Sequence, residues 1–97
     1  MVLGMTRWII LFGLLALPAG AAAACFADYK AKKDNPLRLH YGVIEVPDNA
    51  CSPGAASSIV ANRIARDGWT LLTVQSTFGR DGLQEREGSA GQYFLRY

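Results

Sequence analysis

Ile64-Ala65-Arg66-Asp67-Gly68-Trp69-Thr70-Leu71-Leu72-Thr73-Val74 is the junction that decides the fold, because a helical apolar period stops there at a glycine and a strand begins at once. Upstream, Ile59, Val60 and Ile64, with Ala56 and Ala65 filling in, recur at helical spacing and form one apolar face, while Asn62, Arg66 and Asp67 point away. Ser52-Pro53 marks the helix start: the serine hydroxyl accepts a first-turn N–H, and the proline lacks a donor where none is needed. Gly68 marks its end, since glycine takes the left-handed conformation that closes a helix and lets the next residue, Trp69, fold back onto the last turn. Trp69 is therefore expected as a core anchor. Beyond it, Trp69 to Phe78 is rich in Thr, Val, Leu and aromatic residues and reads as a strand.

The first quarter of the chain follows another logic. Arg7 precedes the apolar run Ile9 to Leu17, then come Pro18 and the small-residue tract Ala19 to Ala24, the pattern of a secretory signal peptide over residues 1–24. Spanning a bilayer takes about 20 apolar residues, so the run is short for a membrane helix, although Trp8 to Ala24 just reaches as a retained anchor. The mean hydropathy of +0.11 is largely this segment. The remaining domain, 25–97, carries nine basic and eight acidic residues, a net charge near +1. Nucleic-acid binding, or steering to an acidic membrane face, calls for a concentrated basic patch. In sequence only Lys30, Lys32 and Lys33 cluster, beside Asp28 and Asp34, which reads as a solvated surface.

Both cysteines, Cys25 and Cys51, lie beyond the expected leader, so an oxidising compartment would pair them in a disulfide. A loop of that length stabilises by roughly 3.5 kcal/mol, a large share for so small a core. The competing reading is a lipid on Cys25 as the first residue of a lipoprotein, because a small-residue tract stands just before it. The position three before the cysteine is Ala22 rather than leucine, and Pro18 to Ala24 separate the apolar run from Cys25, which suits ordinary cleavage better.

Taken in order, Phe26 and Tyr29 lie three apart, so 26–33 is expected as a short N-terminal helix or turn, broken by Asp34-Asn35-Pro36. Leu37 to Val46 alternates as a strand, with Leu37, Leu39, Tyr41 and Val43 on one face. Such a strand separates Cys51 from Pro36 by about 33 Å, so the disulfide requires the segment 26–35 to double back along it. Gly79 to Gly91 holds four glycines and five charges and reads as a mobile loop. Gln92 to Tyr97, with aromatics on both faces, reads as a third strand. The expected fold is α+β: a β-α-β-β unit whose three-stranded sheet has the third strand central, with one main helix on one face. Cover for the other face would come from the N-terminal helix or from a second copy of the chain.

The stretch Asp67-Gly68-Trp69-Thr70-Leu71-Leu72-Thr73-Val74 resembles the Gly-Trp-Glu-Leu-Val type of motif that follows the helix in a family of small bacterial β-α-β-β domains of unknown function. The likeness covers roughly the last sixty residues. Thr70 stands where that family often has an acidic residue. The chain is also similar to small exported bacterial proteins sharing an Ala-Asp-Tyr-Lys-Ala-Lys start and a Gly-Gln-Tyr-Phe-Leu-Arg-Tyr end. Neither resemblance implies an activity.

The residues offer little catalytic chemistry. His40 is the lone histidine, and acid–base work needs a second positioned group, for which Glu45 or Arg96 are the candidates. Cys25, Cys51 and His40 lack metal-ligand spacing, and paired thiols do not ligate, so no metal or other cofactor is expected. Glu85 and Glu87 sit among glycines that cannot hold two carboxylates at a fixed separation. Two function classes follow. One is a non-catalytic exported module, periplasmic or secreted, that binds a protein or peptide or self-associates as a homodimer. Its contacts would be the sheet face with Tyr41, Tyr93 and Tyr97, or the strand Leu37 to Val46. A membrane enters this reading only through an uncleaved leader or a lipidated Cys25. The other class is a small ligand-binding or hydrolytic domain using His40.

Overall fold

The structure is a computed structural model that describes residues 24–97. The expected leader lies outside the described residues. Strand β1 (Cys25–Lys33) is followed by β2 (Arg38–Val46), helix α1 (Pro53–Ala65), β3 (Thr70–Phe78) and a short helix α2 (Gln84–Ala90), with single 3₁₀ turns at Asp48–Ala50, Arg80–Gly82 and Gly91–Tyr93. The three strands form one antiparallel sheet in the order β2-β1-β3. The fold is α+β, with one main helix on a three-stranded sheet.

The middle strand is not the expected one. Residues 25–33 form β1 at the centre of the sheet rather than a helix or turn, so the chain order is β-β-α-β instead of β-α-β-β. The reason lies in a two-residue alternation. Cys25, Ala27, Tyr29 and Ala31 are buried against α1, while Phe26, Asp28, Lys30 and Lys32 face the other way. β2 and β3 each run antiparallel to β1, so they are parallel to each other, as the right-handed crossover requires, with β1 in the slot assigned to the C-terminus.

Residues 92–97 are accordingly not a third strand. After the turn Gly91–Tyr93, Phe94 makes a single parallel bridge to Val43, and the Leu95 N–H donates to the Val43 carbonyl at 2.8 Å. Leu95 adopts φ 55°, which ends any strand alternation there, and the tail lies along the outer edge of β2. The expected mobile loop 79–91 is likewise ordered: it makes the turn Arg80–Gly82 and then α2, whose Ala90 packs with Phe26 and Val43.

The helix junction follows the sequence closely. Ser52 Oγ accepts from the Ala55 N–H at 3.2 Å, and Pro53 opens α1. Ala56, Val60 and Ile64 are its buried stripe. At the far end the Gly68 N–H donates to the Ala65 carbonyl at 2.9 Å and the Trp69 N–H to the Ile64 carbonyl at 3.2 Å, with Gly68 at φ 84°. That is a Schellman closure, and Trp69, 5% exposed, packs in the same core as Ile64.

The disulfide joins Cys25 to Cys51, with Cα atoms 5.9 Å apart. Doubling back supplies the geometry: the β1–β2 hairpin puts Cys25 opposite Val46, and the turn Asp48–Ala50 brings Cys51 round to it. Within the hairpin, Tyr29 is fully buried opposite Gly42. Its ring occupies the space a side chain at 42 would need, since an added Cβ would lie 2.5 Å from Tyr29 Oη.

Candidate functional site

Two polar clusters are built on the sheet, one on each face. On the α2 face, Asp28 projects from the middle of β1 and is 6% exposed. Its Oδ1 accepts from Ser76 Oγ at 2.7 Å, and its Oδ2 accepts from Tyr41 Oη at 2.8 Å and Arg86 Nε at 3.1 Å. Burial pulls the pKa upward, but the hydrogen bonds from Ser76, Tyr41 and Arg86, with the Arg86 charge, prevail and hold the carboxyl below its usual range. The same contact and burial push the Tyr41 hydroxyl up to about 12, burial contributing most. Arg86 stacks over the Phe78 ring at 3.9 Å and donates to the Gly82 carbonyl at 2.7 Å and to Glu85 at 3.1 Å.

A carboxylate saturated by three donors is a poor base, and its work here is to pin α2 to the sheet. Asp28→Asn is expected to cost about 2 kcal/mol, because Arg86 loses its ionic partner in a partly buried site. Urea unfolding checks this. A cycle with Arg86→Met should show the two losses overlapping rather than adding.

On the α1 face, His40 projects from β2 and is 8% exposed. His40 Nε2 and Tyr29 Oη share a hydrogen bond of 2.9 Å. The imidazole stacks on Tyr93 with centroids 3.7 Å apart and meets the Trp69 ring edge-on at 4.3 Å. Its Nδ1 is buried without a hydrogen-bond partner among the described residues. Burial first, and the nearby Lys33 charge second, lower its pKa to about 4. Burial also raises the Tyr29 hydroxyl well above its ordinary value. Lys33 and Arg38 lie over Trp69, Arg96 over Tyr93 and Tyr97, and Tyr97 Oη donates to Asp67 at 2.6 Å.

This cluster makes stability depend on pH. An unfolded histidine titrates near 6.5 and the native one near 4, so the native state prefers the neutral ring. The stabilisation is complete above pH 6.5 and is lost as pH falls toward 4, by about 2 kcal/mol once solvent screening is allowed for. Urea midpoints across that window should fall for the natural chain. They should fall much less for His40→Gln, which keeps a polar group near Tyr29 but does not titrate there.

The residues singled out from sequence are not gathered into one site. Ser52, Pro53, Gly68 and Trp69 build the two ends of α1, and Cys25 and Cys51 form the disulfide. Tyr93 and Tyr97 pack on the His40 side, whereas Tyr41 bonds Asp28 on the opposite face, so the three tyrosines do not share a surface. Neither suggested partner of His40 hydrogen-bonds to it. Glu45 is exposed, its carbonyl accepting from Arg63 at 2.7 Å, and the Arg96 guanidinium lies over tyrosine rings. Asp28, Arg86, Tyr29 and Gly42 were not read as site residues from sequence. The signal for the first was a lone acid inside an alternating strand.

Among the described residues no group of three or more His, Cys, Asp or Glu side chains is placed to hold a metal ion. Comparison with known protein families, curated proteins and solved structures finds no match to this chain.

Proposed function

We propose that this chain is an exported, non-catalytic module of a bacterial cell envelope that works by binding through its surface. The observation that carries this reading is the Cys25–Cys51 disulfide, which ties the first residue of the central strand to the start of the main helix directly after a leader-like tract. The fate of the titratable groups supports the second half. Asp28 is saturated by donors and His40 is packed among rings, so each reads as part of the fold rather than as an acid or base. The likeness of Gly68-Trp69-Thr70-Leu71-Leu72 to small bacterial domains belongs to the same proposal.

Intact-mass measurement on protein recovered from exporting cells tests it. The expected product begins at or beside Cys25, exposes no thiol until reduced, and then exposes two. A chain that begins at Met1 with two free thiols would overturn the reading. A diacylglyceryl adduct on Cys25 would replace it with a lipid-anchored one, since a sulfur in a thioether cannot pair.

A further inference from the structure

The chain ends as a tail laid across the edge of the sheet, and its hold there is slight. Among the described residues its main chain meets β2 at Val43 alone, where Phe94 makes its bridge and the Leu95 N–H donates to the carbonyl. Phe94 packs on the α2 side of the sheet, and Tyr93 and Tyr97 on the α1 side. Between them Leu95 is 44% exposed and stands at φ 55°, a left-handed conformation that is costly for a residue with a side chain. A cleft of 230 Å³ opens where Leu95 and Tyr97 face Glu45 and Arg63. Gly91, at φ 54°, stands at the base of the tail as a hinge.

The seat of the tail on the α1 side is the imidazole of His40, on which Tyr93 stacks. Around this seat β1 contributes Tyr29 and Lys33, and β2 contributes Arg38, which shares the Trp69 ring with Lys33. The tail brings Arg96 over its own two tyrosine rings. The junction after α1 supplies the one acid, Asp67, which sits among Lys33, Arg38 and Arg96 and already accepts from Tyr97. Arg63 of α1 is turned away to the Glu45 carbonyl. A proton on His40 would therefore add a fourth positive charge to a group with one acid, and would create an N–H at the buried Nδ1 with no acceptor among the described residues.

We propose that residues 93–97 are an acid-released strap: protonation of His40 lifts Tyr93 from the imidazole and frees the tail from the edge of β2, while the sheet and α1 stay folded. Opening here is cheaper than unfolding. Lifting one terminal segment gives the ring to water and relaxes Leu95, whereas the sheet and α1 are held by the disulfide and by the core around Tyr29, Ile44 and Ile64. What it uncovers is the outer edge of β2, a row of backbone groups able to pair with an extended segment. That this edge is a binding edge rests on the surface-binding reading above. The release itself rests on neither export nor a partner, so the mass measurement and the test below fail separately.

Backbone and ring NMR of the disulfide-bonded protein from pH 7 to pH 3.5 tests the strap. A histidine that titrates near 6.5 in the open state and near 4 in the docked one raises the ratio of released to docked tail as pH falls, by about 30-fold after allowance for screening. Resonances of Tyr93 through Tyr97 should move toward random-coil values with the same midpoint as the His40 ring, while those of Ala27–Ala31 and Ala56–Ile64 keep their native positions. Asp67→Asn should leave this titration in place, which separates it from the loss of the Tyr97 contact. His40→Gln should show no shift of its tail with pH. A tail that stays docked at pH 3.5, a tail and core that lose native shifts together, or a His40→Gln tail that moves over the same range as the natural one would overturn the proposal.

Discussion

Replacing both Cys25 and Cys51 with alanine is expected to destabilise the domain by about 3.5 kcal/mol, the largest single loss we anticipate. The bond closes a loop of sequence separation 26, and breaking it frees the beginning of the central strand from the start of α1. Cys25 is also 2% exposed, so its loss removes packing as well. Net stability of a domain this size is on the order of 5–10 kcal/mol, so roughly half of it disappears. At about 4–8 °C per kcal/mol, the melting temperature should fall by about 15–25 °C. Circular-dichroism melts of the double variant and of the reduced natural chain should agree. A drop of a few degrees would mean that the hairpin holds β1 without help.

Gly42→Ala should cost about 3 kcal/mol, far more than one methyl group usually does. The added carbon would sit 2.5 Å from Tyr29 Oη and 2.6 Å from Cζ, and the ring has nowhere to go. It is fully buried in the core under α1, and its hydroxyl is held by His40 at 2.9 Å. Glycine is therefore needed here for space rather than for backbone freedom, and the ring covers the gap it leaves in β2. Urea unfolding of Gly42→Ala, Tyr29→Leu and the pair checks the mechanism. The pair should be less destabilised than the two single losses combined, because a leucine at 29 vacates the space above residue 42. Strict additivity would contradict the steric explanation.

The helix and its two ends were legible because each depends on local chemistry. Ser52 finds Ala55 three residues on, and Gly68 with Trp69 finds Ala65 and Ile64 in the turn just behind. The disulfide was legible as well, and so was the doubling-back it requires, but not the state of the segment that doubles back. Ala27-Asp28-Tyr29-Lys30-Ala31-Lys32 alternates as cleanly as β2 does. Alanine and lysine favour helices locally, and the Phe26–Tyr29 spacing pointed the same way. Pairing on both edges of β1 overrides that preference, a decision taken by tertiary structure. The tail failed for the converse reason: Tyr93, Phe94 and Leu95 have strand chemistry, but the central place is filled and Leu95 turns left-handed. Four glycines concealed α2, whose anchor is an ion pair spanning 58 residues between Asp28 and Arg86. Such a pair leaves no periodic trace. The cleft beside Lys30 was hidden likewise, since three strands have to lie side by side before Leu39, Lys30 and Leu72 share a surface.

Hydrogen exchange resolved by residue tests most directly whether residues 25–33 form the heart of the sheet. Residues Ala27 through Ala31 sit in a strand paired along both edges, with α1 packed over one face, so their amides should exchange only with global unfolding, more slowly than those of β3 at the sheet edge. Rapid exchange in that stretch, with 92–97 protected in its place, would return the central position to the C-terminus and contradict this account.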